Sequence, residues 1–189
     1  MTEPRLAPLP STEWDDETRA LFTALGAPNG RVLNIFATLA RHPKLLKRWL
    51  VFGSHVLSKS TLSARDRELL ILRTGWNCAA PYEWGQHVAI ARAAGITDDE
   101  ITRVSVGPGA PGWSAFDATL LRAADELHTD STLSDATWAA LGAQYGEQQV
   151  LDAIFTVGQY HLVSMALNAC RVQRDDDVSG VPMPEPRRG

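Results

Sequence analysis

Helix-start signals recur along this chain, while no stretch of useful length alternates apolar and polar residues as a half-buried strand must. That contrast predicts an all-α helical bundle. Pro43 stands where a proline is tolerated, at the first turn of a helix over 44–57. Ser63 is placed to cap the next helix, Pro81 opens another, and Gly95 ends it. Thr97 with Glu100 makes a capping box, and Ser134 caps a helix over 134–145. Further helices are predicted over 13–25, broken at Gly26-Ala27-Pro28, over 34–41 with Asn34 as cap, over 114–129, and over 147–172, the last long and apolar. Residues 105–113 hold Gly107-Pro108-Gly109 and Pro111-Gly112, a loop no helix can cross. Pro4, Pro8 and Pro10 make 1–11 an extended arm. The segment 174–189, with Asp175-Asp176-Asp177 and three prolines, reads as loose or draped over a neighbour. No solenoid repeat is present, and one domain over 1–189 is expected.

The balance of residues narrows the classes of function. A chain of 189 residues with 44% hydrophobic and 21% charged content can bury a sizeable core. Its net charge of −4, with no basic stripe or block, gives no footprint for nucleic acid. Apolar runs such as Leu69–Leu72 are too short to span a bilayer, and no cationic start precedes an apolar block. Cys78 and Cys170 make neither a metal-ligand spacing nor a disulfide framework, which fits a reducing cytoplasm.

Glu83 and His87 hold the strongest chemical signal. Four residues apart on a helix, they share a face, so a proton donor and a proton acceptor lie in mutual reach. A surface ion pair would have the same spacing, but Tyr82, Trp84, Val88 and Ala91 set this pair at the edge of an apolar stripe. Glu68 has Ile71 and Leu72 three and four positions on. Facing a core, it must be paired or neutralised, and two readings fit: a structural ion pair with Arg65, Arg67 or Arg73, or a share in catalysis. His161 follows Tyr160 in a strongly apolar helix and reads as a satisfied core histidine. It could otherwise complete a metal site with Glu83 and His87, though no ligand-spacing signature supports one. His42, His55 and His128 have polar or helix-end settings and attract no role. Cys78 reads as a small buried hydrophobe, since a redox disulfide needs a resolving partner that the sequence does not place nearby. Core packing accounts for most tryptophans, with Trp84 also placed to wall a pocket.

Three stretches carry a resemblance: Glu68-Leu-Leu-Ile-Leu-Arg73, Tyr82-Glu-Trp-Gly-Gln-His87 with Ala94-Gly95-Ile96 and Ile101, and Val157-Gly-Gln-Tyr160-His-Leu-Val-Ser-Met165. From about Asn34 to Val172 the chain resembles the carboxymuconolactone decarboxylase family, which shares its all-α fold with alkyl hydroperoxidase D-type peroxidases. In the peroxidase branch a glutamate precedes a Cys-x-x-Cys-x-x-x-His motif. Glu68 and His87 match the relay glutamate and the histidine, but the cysteine positions fall on Ala80 and Glu83. The resemblance therefore argues against peroxidase activity.

The decarboxylase branch implies cofactor-free, metal-free loss of CO2 from a small carboxylated cyclic metabolite such as a carboxymuconolactone. His87 would donate the proton, Glu83 would set its protonation and orientation, and Glu68 would share the relay. Arg73 would pair with Glu68 or with a substrate carboxylate, and Tyr82, Trp84, Tyr160 and His161 would contact substrate. The resemblance also implies a homo-oligomer, whether dimer, trimer or hexamer. The alternatives are a non-catalytic ligand-binding or assembly protein and a thiol peroxidase using Cys78.

Overall fold

The computed structural model describes residues 3–26, 32–176, 178 and 181–184. Among them every regular element is helical: a 3-10 turn at Ser11–Glu13, then α1 (Asp16–Ala24), α2 (Asn34–Leu39), α3 (Pro43–Ser58), α4 (Ala64–Asn77), α5 (Pro81–Ala93), α6 (Asp98–Val106), α7 (Ala115–Thr129), α8 (Asp135–Gly142) and α9 (Glu147–Cys170). The all-α expectation holds.

Local chemistry sets most of the boundaries. Ser63, Ser114 and Ser134 each accept a hydrogen bond from the backbone N–H three residues on, satisfying a donor the helix cannot. The Thr97–Glu100 capping box forms, and Pro43 and Pro81 open their helices. Two predicted starts move. The first helix begins at Asp16, because the Asp15 carboxylate accepts from Thr18 N–H and caps it there. Asn34 lies inside α2 rather than capping it; its own N–H is capped by Asp175, 3.0 Å away. The expected break at Ala27-Pro28 lies outside the described residues.

α4 runs through the middle of the bundle, packed against α5, α6, α7 and α9. Every residue from Glu68 to Gly75 is buried, so this stretch of the helix has no solvent face. Fully burying each of its leucines is worth about 1.5–3 kcal/mol, which makes α4 the helix the others assemble on. Arg73 leaves α4 to clamp two neighbours. Its Nε and Nη2 donate to the Asp125 carboxylate on α7 at 2.6 and 3.0 Å, and Nη1 donates to the Val104 carbonyl on α6 at 2.8 Å. Gly107 allows this, since a Cβ there would stand 2.8 Å from Nη2 and φ is +100°.

α9 departs from the reading of the apolar runs. At 24 residues it is long and apolar enough to cross a membrane by length and composition, yet half of its most apolar window is buried among the other helices. It packs on α3, α4, α5, α7 and α8 as a core helix does.

Residues 3–10 form neither helix nor strand and are tied down. Arg5 and Leu6 N–H donate to the Cys170 carbonyl at the end of α9, and Arg41 Nε donates to the Ala7 carbonyl at 2.6 Å. The segment after Arg174 is not loose where it is described. Asp175 accepts from Asn34 N–H, from the Tyr82 hydroxyl at 2.5 Å and from Gln86 Nε2 at 2.9 Å, and Val178 is buried. A carboxylate facing the first amide of α2 is favoured by the helix dipole, which gives this aspartate a partner that a run of three suggests for none of them. Residues 177, 179–180 and 185–189 lie outside the described set.

Candidate active site

Three buried side chains from two helices meet at His87. Its Nδ1 lies 2.7 Å from Glu68 Oε2, and its Nε2 lies 2.9 Å from Glu83 Oε1. Relative exposures of 0% for Glu68, 4% for Glu83 and 5% for His87 place all three in low-dielectric surroundings. An imidazole with carboxylates on both nitrogens holds a proton on each. Burial pushes the His87 pKa down, but the hydrogen bonds and charges of Glu68 and Glu83 outweigh it and raise it to about 9. The remaining Glu68 oxygen accepts from Arg67 Nε at 3.1 Å. Two carboxylates, an imidazolium and a guanidinium thus close a cluster of zero net charge, the condition under which charges can be buried.

The local reasons are separate for each residue. Pro81 sets the register of α5, so Glu83 falls in its first turn, where the helix dipole favours negative charge. His87 follows one turn later on the same face. Tyr160 from α9 closes the third side, its ring edge-on to the imidazole at 4.8 Å and 86°.

Glu83, His87 and Tyr160 open onto a cavity of about 220 Å³ between α2, α3, α5 and α9. Its other walls are largely apolar, including Ile35, Phe36, Trp49, Leu50, Ile90 and Val163, and among the described residues no lysine or arginine lines it. Glu68 stands behind His87, away from the cavity. Tyr82 lines the cavity too, although its hydroxyl is committed to Asp175 and Ile35 N–H; burial and then that carboxylate hold its pKa well above the usual phenol range.

Three expected contacts fall elsewhere. Arg73 is committed to Asp125 and stacks on Trp76 at 4.5 Å, so Arg67 is the partner of Glu68, and Arg73 does not wait for a substrate carboxylate. Trp84 is buried in the main core, turned away from the cavity. His161 lies across α9 beside His128 and Cys78, and completes nothing with Glu83 and His87.

Two cavity residues were assigned no site role from the sequence. Gln159 is a buried amide in an otherwise apolar turn of α9, and that contrast was a readable signal. Trp49 brings an indole N–H that is buried without a hydrogen-bond partner among the described residues. Nothing in its sequence setting marks it out from a core tryptophan.

The helical bundle built on a central buried helix has the alkyl hydroperoxidase D-like fold. Among solved structures with this fold, an uncharacterized peroxidase-related protein from Silicibacter sp. TM1040 matches 95% of this chain and 98% of its own at a TM-score of 0.79 and 18% identity. An alkylhydroperoxidase AhpD core protein from Ralstonia eutropha JMP134, also an uncharacterized peroxidase-related protein, matches 94% and 96% at 0.79 and 18%. The debrominase Bmp8, solved as a cysteine-to-alanine variant in complex with 2,3,4-tribromopyrrole, matches 90% and 91% at 0.72 and 12%. No curated protein matches the sequence. Residues 43–126, from α3 into α7, match the model of the carboxymuconolactone decarboxylase family. That segment contains Glu68, Glu83 and His87.

Proposed function

We propose that this chain is a cofactor-independent proton-transfer enzyme, a decarboxylating lyase in the first instance, acting on a small cyclic organic metabolite. The observation that carries the reading is the His87 imidazole, held by two carboxylates and facing an apolar cavity. Loss of CO2 from a carboxylated ring leaves an electron pair on carbon, stabilised as an enolate, and the reaction ends when that carbon takes a proton. His87 Nε2–H is the donor on the cavity side, Glu83 sets its direction, and Glu68 with Arg67 fixes the ring from behind. Solvent then returns the proton to His87. The substrate's carboxylate would enter a space that no described lysine or arginine lines, so it is poorly solvated there, which favours loss of neutral CO2 with the electron pair left on the ring. The Trp49 N–H is a spare donor for a ring or lactone oxygen. A cavity of about 220 Å³ is below the roughly 300–1,000 Å³ of drug-sized sites, which favours a single small ring. The debrominase of this fold holding a tribrominated pyrrole agrees with a ligand of that size.

The test is ultraviolet loss of 4-carboxymuconolactone with CO2 release, for wild type beside His87→Ala. The variant is expected to lose at least about 100-fold in turnover while keeping its helical spectrum. Equal rates in the two would sink the assignment of His87.

One observation favours a second reading, a non-catalytic binding protein: both nitrogens of His87 are already committed, so donation requires a break from Glu83. Ligand-induced thermal shifts without turnover of any lactone would select it. A thiol peroxidase has less support, because burial raises the Cys78 pKa and so disfavours the reactive thiolate.

Assembly follows from the surface. Phe52 and Phe155 meet edge to face at 6.0 Å on the outside of α3 and α9, and Leu162 and Met165 extend that apolar face into solvent. We propose that copies of this chain associate there; sedimentation should give a mass above the 20.6 kDa of one chain.

A further inference from the structure

A second cluster of reactive side chains lies outside the cavity. Cys78 at the end of α4, His128 in the last turn of α7 and His161 in the middle of α9 converge from three helices. His128 Nδ1 and His161 Nε2 are 2.6 Å apart, Cys78 Sγ is 3.9 Å from His128 Nδ1, and all three donor atoms lie within 4.8 Å of one another. None of the three lines the cavity of Glu83 and His87. Among the described residues no carboxylate joins the group, so what converges is one sulfur and two imidazole nitrogens.

We propose that Cys78, His128 and His161 form a metal site for a borderline-soft divalent cation, zinc first, with the remaining coordination position open to water. Thiolate and imidazole are the ligands such cations prefer, and three protein ligands plus an open position is the arrangement of reactive rather than purely structural zinc. At zinc bond lengths of about 2.0–2.3 Å, tetrahedral angles put nitrogens roughly 3.3 Å apart and sulfur roughly 3.6 Å from nitrogen. The Cys78–His128 separation of 3.9 Å is within about 0.3 Å of that sulfur–nitrogen value, and the two imidazoles, 2.6 Å apart, must part by less than about 1 Å. All three side chains are half-buried, within reach of solvent yet held by their helices.

The surroundings suit a bound thiolate. Ser164 is wholly buried on α9, with its hydroxyl beside the Cys78 thiol. A thiolate on the metal would accept that hydroxyl proton, which is how outer-shell groups hold ligands in place. Asn168 Nδ2 donates to the Cys78 carbonyl at 2.9 Å and fixes the turn that carries the sulfur. Without metal, the 2.6 Å approach requires a proton between the two imidazole nitrogens, one of which offers its lone pair to the other. Binding releases the thiol proton to solvent, and the proton between the rings moves to an outward nitrogen.

The test titrates chelator-treated protein with CoCl2, then ZnCl2. One cobalt per chain should bind with an intense thiolate-to-cobalt charge-transfer absorption that zinc bleaches. Cys78→Ser should abolish that absorption, His128→Ala and His161→Ala should each weaken zinc by more than the about 10–100-fold that an outer-shell loss costs, and Cys170→Ser should change nothing. Far-UV circular dichroism establishes that each variant folds. A folded wild type with no charge-transfer absorption, the same absorption in Cys78→Ser, or unchanged zinc affinity in both histidine variants would overturn the site.

Discussion

Glu68→Ala is expected to destabilise the fold by about 3–5 kcal/mol at pH 7, the cost of breaking a buried charge pair by removing one partner. Glu68 has no exposed surface, and each of its oxygens has a charged donor, Arg67 on one and His87 on the other. Truncation strands both donors at once and leaves a cavity beside them. Glu68→Gln keeps the shape and one acceptor oxygen, so it should cost less than the alanine variant. Urea unfolding of wild type, Glu68→Gln and Glu68→Ala measures the series. A loss below about 1 kcal/mol in the alanine variant would place the two carboxylates in a surface-like setting and refute the neutral buried cluster.

The second large effect is a dependence on pH through His87. Its pKa is raised from 6.5 to about 9, so the folded state holds this proton more tightly than the unfolded chain does. The stabilisation is complete below pH 6.5, declines between 6.5 and 9, and is gone above that window. A shift of that size corresponds to about 3 kcal/mol. The unfolding free energy should therefore fall across that interval. The ring carbon-bound protons of His87, assigned by their absence in His87→Gln, should titrate near 9. An imidazole resonance that stays neutral at pH 7 would move the proton onto one of the carboxylates and reverse the roles of donor and acceptor in the proposed chemistry.

What the sequence made legible was local. Ser63, Ser134, Thr97 with Glu100, Pro43 and Pro81 act within one helical turn, and all stand where their chemistry predicts. The Glu83–His87 pair was legible for the same reason, its spacing being that of one turn. Glu68 was legible as a buried carboxylate, but its partner was not. Picking Arg67 or Arg73 by helix face needs a helix with a solvent side, and α4 is buried all round from Glu68 to Gly75. His128 was set aside as a helix-end residue because its partners, Cys78 and His161, lie 50 and 33 residues away. No spacing rule spans such gaps. Asp175 was hidden in a run of three like charges, which by pattern reads as solvated, although one of them binds Tyr82, Gln86 and the start of α2.

That contact also orders events in time. Asn34 and Asp175 are separated by 141 residues, and Tyr82 and Asp175 by 93. The wall of the cavity formed by Ile35 and Tyr82 is thus fastened by a residue synthesised long after either of them. During translation α2 can coil as soon as it clears the ribosome, but its first amide stays uncapped until residue 175 has emerged. Closing so long a loop is slow compared with forming any single helix here. The cavity is consequently among the late features of this chain to assemble, and a nascent protein already helical throughout would still be unable to hold its ligand.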